Sequence, residues 1–302
     1  MITIVMQKLN SSVKVAGIKL SNPLMNGAYI NSKTLKDVET LAKSACGAIV
    51  VGSISVKPRK SNPGPGYWLH KEKFFSLNSF GMPNGGIPYF KKYLPEMVNI
   101  AHSANKPLIA NLIGFSNEEF AILVTLAEKS GADMVELNLG CPNVWEKGHQ
   151  ERIISYHASL VKSTLDHIAK QNPKIKVCVK ISPLPPDILQ EVTKVIVGSE
   201  IVQIVTATNS YPNASITTGA QGKTGPSDAL AGLAGRALKP ISVGVVKQLR
   251  VLLPKHIDII GCGGISSPND VKDYLNAGAK AVQIATALQE EGPEIFEKIL
   301  QA

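Results

Sequence analysis

The chain has 302 residues, of which 44% are hydrophobic and 18% charged, with a formal net charge of +9 at pH 7. That composition suits one large globular domain over residues 1–302 and excludes a disordered chain, while no run of about 18 apolar residues appears, so nothing reads as a membrane span. The basic excess favours anionic ligands, but the Lys and Arg residues are dispersed with few aromatics among them, so nucleic acid is not an expected partner.

Met1 to Leu9 is too short for the hydrophobic region of a secretion signal and lacks a small-residue cleavage site. Cys46, Cys141, Cys178 and Cys262 are scattered without CxxC spacing, which points away from a zinc site or a disulfide framework and towards a reducing, cytoplasmic setting.

Val13 to Leu20 alternates on either side of Ala16-Gly17 and reads as a small hairpin that plugs or edges the fold. Pro23 to Asn26 is a short apolar strand ending in Asn26-Gly27-Ala28, followed by a helix from about Thr34, whose hydroxyl can cap it, to Ala45. Gly47 to Val51 is a second buried strand. From Gly52 to Gly86 prolines and glycines recur, as in Asn62-Pro63-Gly64-Pro65-Gly66, and a loop this long in a compact domain is functional or disordered. Within it, Asn78-Ser79-Phe80-Gly81-Met82-Pro83-Asn84 sets amides around a glycine that lets backbone approach a ligand, although on its own the string reads more readily as a turn.

Pro107 to Leu112 is a strand with Asn111 near its end, and Asn117 to Ser130 is a helix with Phe120, Leu123, Val124, Leu126 and Ala127 at helical spacing. The apolar run beginning at Asp133 leads into Leu137-Asn138-Leu139-Gly140-Cys141-Pro142-Asn143. Pro142 cannot continue a central strand, so the chain turns there and leaves Cys141, Asn138 and Asn143 at the strand's C-terminal mouth. A thiol flanked by two amides can act as a base or nucleophile while the amides orient a polar ligand; the bland alternative is a small core cysteine.

A helix through Leu160 and Leu165, a strand Ile175 to Ile181, a helix from about Asp187 and a strand Ile201 to Ala207 come next. A glycine-rich loop (Gly219, Gly222, Gly225) precedes a helix near Ile241 to Leu253; the strand Ile257 to Gly261, the helix Pro268 to Ala277 and the strand Ala281 to Ile284 complete the series. Apolar runs of this kind are parallel strands buried on both faces, and about eight strand-helix units make a (βα)8 TIM barrel with a small N-terminal hairpin and a long loop after strand 2. The rival, a doubly wound sheet, lacks its GxGxxG after the first strand.

Lys180 lies inside the apolar strand Val177 to Ile181, where a lone ammonium is expensive to desolvate; facing the barrel mouth it needs an anion or an electron-rich ring, otherwise it snorkels outwards. Asn209 and Ser210 add an amide and a hydroxyl to the same rim. Gly261-Cys262-Gly263-Gly264-Ile265 and Ala285-Thr286-Ala287 close the last two strands, where barrels habitually hold a phosphate, with tight packing as the alternative.

Taken together, NSFGMPN (Asn78 to Asn84), NLGCPN (Asn138 to Asn143), VKIS (Val179 to Ser182), TNS (Thr208 to Ser210), GCGGI (Gly261 to Ile265) and QIATALQEEGPEIF (Gln283 to Phe296) resemble class 1 dihydroorotate dehydrogenases in order and spacing over nearly the whole chain. The first and last strings resemble the class 1A branch, cytosolic homodimers that pass electrons from FMN to fumarate; the related class 1B chains use a separate subunit and NAD.

The resemblance implies roles. Cys141 matches the base that removes a proton from C5 of dihydroorotate while a hydride leaves C6. Asn78, Asn138, Asn143, Asn209 and Ser210 match the substrate-holding residues, with Ser79, Phe80, Gly81 and Met82 as backbone contacts. Lys180 matches the lysine beside the flavin ring. Gly235, Gly263, Gly264, Ala285 and Thr286 match the contacts to the FMN phosphate and ribityl chain, and Ala28, Ser53, Asn111, Asn138 and Thr208 line the remainder of the FMN site.

There are departures. The family carries a lysine after the second strand that touches flavin and substrate carboxylate, and here Gly52 stands in its place. Loss of such a cation typically costs about 2 to 5 kcal/mol, and Lys57, Arg59 or Lys60 are the candidates to replace it. Tyr29 stands where the family has a small residue, and Gly66 where class 1A tends to carry arginine. Two alternatives accompany the main expectation: an FMN paralogue acting on another dihydropyrimidine or an enone, and a tRNA dihydrouridine synthase-like protein, whose barrels carry a similar cysteine and strand lysine but also a C-terminal RNA-binding domain.

Overall fold

The computed structural model describes residues 9–29, 31–146, 149–216 and 230–301. Eight parallel strands carry the fold: β1 (Leu24–Asn26), β2 (Ile49–Ile54), β3 (Leu108–Leu112), β4 (Met134–Asn138), β5 (Lys176–Ile181), β6 (Val202–Ala207), β7 (Asp258–Cys262) and β8 (Ala281–Ile284). They pair in chain order from β2 round to β8, and β8 returns to β1. A parallel bridge between Met25 and Ala48 joins β1 to the chain entering β2. The Asn26 amide completes that seam, donating to the Val50 carbonyl at 2.7 Å and accepting from the Val50 N–H at 2.9 Å. The result is the expected TIM barrel. Every residue of β2, β3, β4 and β8 is buried, as strands covered on both faces must be.

The surrounding helices are α1 (Leu35–Lys43), α2 (Gly86–Ser103), α3 (Asn117–Lys129), α4 (Ala158–Ala169), α5 (Pro186–Gly198), α6 (Lys239–Leu252), α7 (Pro268–Asn276), α8 (Thr286–Glu291) and α9 (Glu294–Gln301). A capping box starts α1: the Thr34 hydroxyl accepts from the Asp37 N–H at 3.2 Å, and the Asp37 carboxylate accepts from the Thr34 N–H at 2.8 Å. Helix α2 is not anticipated by the sequence reading, which passes from the loop ending at Gly86 to the strand at Pro107 without an element between them. Pro88 falls in the first turn, where its missing N–H has no intrahelical partner to lose, and the buried stripe Phe90, Leu94, Met97, Val98 and Ala101 holds the helix on the barrel in spite of Pro95.

The N-terminal hairpin pairs Val13–Val15 with Ile18–Leu20, turning at Ala16 and Gly17 with φ of 47° and 86°, a geometry that suits a two-residue hairpin. It plugs the base: Val13, Val15 and Leu20 pack with Met25, Val50, Ile109, Met134, Ile204 and Ile260, and the Ala16 N–H donates to Asp258 at the start of β7.

The long loop after β2 is largely ordered. Its Tyr67–Leu69 and Ser76–Asn78 form two strands of a four-stranded antiparallel sheet completed by Ala231–Ala234 and Tyr211–Ala214 from the segment after β6. The glycines at 219, 222 and 225 lie outside the described residues.

Candidate active site

The C-terminal ends of the barrel strands and the antiparallel sheet enclose a cleft of about 320 Å³. Cys141 reaches it because β4 ends at Asn138 and Pro142 turns the chain at once. Burial pushes the thiol's pKa up; the Asn143 backbone N–H and the charges of Arg59, Lys180 and Lys33 pull the other way. A second cavity, about 560 Å³ and lined by residues such as Phe115 and Leu160, meets Cys141 and Asn138 as well.

The amides form a connected chain. Asn209 donates to Asn138 at 3.0 Å, and Asn138 donates to the Ser53 hydroxyl at 3.1 Å. Ser53 donates to Asn111, and Asn111 donates to Glu136 at 2.7 Å. A separate pair stands beside it: Asn143 donates to Asn78 at 2.6 Å, and Asn78 donates to the Gly232 carbonyl, which ties the site to the antiparallel sheet. Asn143 Oδ1 is buried with no hydrogen-bond partner among the described residues.

Lys180 points inwards, not out. Its ammonium donates to Gln283 at 2.7 Å and lies 3.6 Å from the fully buried Glu136 carboxylate. Burial alone would lower its pKa; Glu136, with the thiols of Cys262 and Cys178, more than reverses this and leaves it raised. Glu136 in turn accepts from Thr206 at 2.7 Å and from Gln283 at 2.6 Å, so this buried charge is both paired and hydrogen-bonded.

At the other end the cleft wall is nearly bare backbone. Gly263 and Gly264 have φ of 129° and 69°, and a Cβ on Gly264 would stand 2.7 Å from that of Lys239 and 2.8 Å from the Gly235 carbonyl oxygen. Such a cradle fits a phosphate held by N–H groups, and a cleft of this size with a buried cation at its floor fits a planar redox ring.

The family model described as dihydroorotate dehydrogenase matches residues 10–302. The chain belongs to the dihydroorotate dehydrogenase family. It is thus of flavin-dependent oxidoreductase type, acting on CH–CH donors. Dihydroorotate dehydrogenase A (fumarate) of Lactococcus lactis subsp. cremoris is 31% identical over 290 residues, 95% of this chain and 90% of that protein. The catalytic subunit of dihydroorotate dehydrogenase B (NAD(+)) of Thermoplasma volcanium is 31% identical over 293 residues with the same coverage. A putative dihydroorotate dehydrogenase A (fumarate) of Streptococcus agalactiae serotype Ia is 30% identical over 287 residues. Among solved structures, the dihydroorotate dehydrogenase of Eimeria tenella in complex with ferulenol shares the fold at a TM-score of 0.81 and 19% identity, covering 96% of this chain and 82% of that one.

Most residues that the family motifs single out come together. Cys141, Asn78, Asn138, Asn143, Asn209 and Ser210 line the cleft with Phe80, Gly81 and Met82; so do Ala28, Ser53, Lys180, Thr208, Gly235, Gly263, Gly264, Ala285 and Thr286. Two do not. Ser79 is buried and its N–H is committed to the Gly66 carbonyl, so it has no free backbone donor to offer. Asn111 lies behind Ser53, fully enclosed between that hydroxyl and Glu136. Of the replacement cations expected on the loop after β2, Lys57 and Lys60 are exposed, while the Arg59 guanidinium lies 4.5 Å over the Phe115 ring and bonds the Gly81 carbonyl, outside the cleft lining yet near enough for its charge to act on Cys141. At Gly66, a Cβ would stand 2.6 Å from the Phe80 ring, so this loop has no room for a side chain there.

The sequence reading misses Glu136, Gln283, Tyr67 and Lys33. An acid and an amide inside apolar strands are a usable signal for the first two. Tyr67, which donates to Glu290 at 2.7 Å, and Lys33 reach the cleft from loops and carry none.

Proposed function

We propose that the chain is a single FMN-binding barrel domain, residues 1–302, that oxidises dihydroorotate to orotate in pyrimidine biosynthesis. The observation that carries this reading is Asn143, a cleft residue whose Nδ2 is held by Asn78 while its buried Oδ1 has no partner among the described residues. An unmet buried acceptor costs about 1 to 3 kcal/mol, which a ring N–H of a bound pyrimidine offsets.

FMN, when bound, supplies the hydride acceptor. Cys141 must first give up its own proton, which the Asn143 backbone N–H and the charges of Arg59, Lys180 and Lys33 favour against burial; the thiolate then takes the C5 proton as the C6–H electron pair departs as hydride, so the substrate loses two hydrogens and its ring gains a double bond. Asn78, Asn138, Asn143, Asn209 and Ser210 orient the ring, with Phe80, Gly81 and Met82 closing over it. Lys180 places positive charge against the flavin, Gly235, Gly263, Gly264, Ala285 and Thr286 hold the phosphate and ribityl chain, and Ala28, Ser53, Thr208 and Asn138 line the rest. Asn111 acts from behind by fixing Ser53. Fumarate is the acceptor favoured by the fumarate-type relatives, and the reading includes a cytoplasmic homodimer.

A second reading, an FMN enzyme for another dihydropyrimidine or an uncharged enone, is favoured by Gly52, where the family's cation is absent. Anaerobic titration of the flavoprotein with dihydroorotate and with 5,6-dihydrouracil separates the two. Bleaching of the flavin by dihydroorotate at micromolar to millimolar concentration is expected; bleaching by the neutral compound alone would replace the first reading with the second.

A further inference from the structure

Four cationic side chains line the cleft among the described residues: Lys33, Lys73, Lys180 and Arg236. Lys180 is matched by Glu136 at 3.6 Å. Lys73 and Arg236 are exposed, and Arg236 adjoins Gly235 at the phosphate end. Lys33, from the turn before α1, differs from all of these. Its ammonium donates to the Pro83 carbonyl at 2.8 Å, within the string that closes over the ring. No carboxylate among the described residues forms an ion pair with it, since Asp37, the acid on its own turn, accepts instead from the backbone N–H groups of Lys33 and Thr34. Two of its three N–H donors are therefore uncommitted.

A cation this enclosed is costly without a counter-charge. Burial lowers its pKa to about 8, with Cys141 from the β4 turn and Asp37 pulling upwards. Position 52 cannot supply the charge instead: Gly52 has a φ of 132°, and a Cβ there would stand 2.4 Å from the Asn111 carbonyl oxygen. The route from β2 is closed by backbone, while the turn after β1 delivers an ammonium to the Cys141 side of the cleft.

We propose that Lys33 binds the substrate's carboxylate, a role that rests on the dihydroorotate reading and makes this site anion-selective from the β1 turn. Below pH about 8 Lys33 is a cation and attracts the carboxylate; above it the proton is lost and the attraction with it.

The test uses the flavin-loaded protein, with orotate and uracil as probes and perturbation of the flavin spectrum as readout. Lys33→Met is expected to weaken orotate about 30-fold or more while changing uracil by no more than about twofold, and Lys33→Arg to recover most of the loss. Wild-type orotate affinity is expected to fall as pH rises through about 8, a fall that Lys33→Met abolishes. If wild type binds orotate and Lys33→Met binds it equally well with its flavin retained, the Lys33 assignment is wrong while the dihydroorotate reading stands. If wild type does not bind orotate at all, the dihydroorotate reading fails and this one with it.

Discussion

The base and the mouth of the barrel are built from the same strands two residues apart, yet they are chemically opposite. Ile109, Met134, Cys178, Ile204 and Ala281 share the apolar core with the hairpin plug. One pleat further along, Asn111, Glu136, Lys180, Thr206 and Gln283 make a buried polar network. A step of two residues keeps a side chain on the same face and moves it about 6.6 Å along the strand. That single step takes the interior from packing, where volume decides, to electrostatics, where the partner decides. Stability and chemistry are thus stacked along the barrel axis.

The contrast can be broken most severely at the mouth. Cys141→Ser is expected to keep flavin bound but slow its reduction by dihydroorotate about 100- to 10,000-fold, measured by stopped-flow; an unchanged rate would remove the thiol from the chemistry. Glu136→Ala leaves Lys180 buried without its counter-charge and is expected to cost about 3 to 5 kcal/mol in chemical denaturation. A loss under about 1 kcal/mol would mean that the network relaxes and the polar layer is not electrostatically specified. Ile204→Val at the base is expected to cost only about 0.5 to 1.5 kcal/mol, with turnover unaltered. Impaired turnover in that variant would show that the two layers are coupled after all.

Legibility in the sequence follows the same division. The strands could be read because each is a continuous apolar run, and β8 is found within the very bounds expected, Ala281 to Ile284. Cys141 and Asn143 could be placed because Pro142 forces a turn at a strand end. Helix α2 went unread because what holds it, in spite of the local penalty of Pro95, is a tertiary stripe that propensity does not register. The antiparallel sheet was hidden for a different reason: Asn78 pairs with Gly232, from the far half of the chain, and no local pattern encodes such a pairing. Lys33 looked like any charged residue ahead of a helix cap, because its meaning comes from Pro83 and Cys141, which only the folded chain brings near.

That antiparallel sheet donates Asn78 to the cleft but contributes no rung to the barrel ladder. The two excursions that build it reach the cleft with Asn78, Ser210 and Gly235, while the eight-stranded ladder closes without them. Altering them would therefore reshape what the cleft can hold without changing a rung of the barrel.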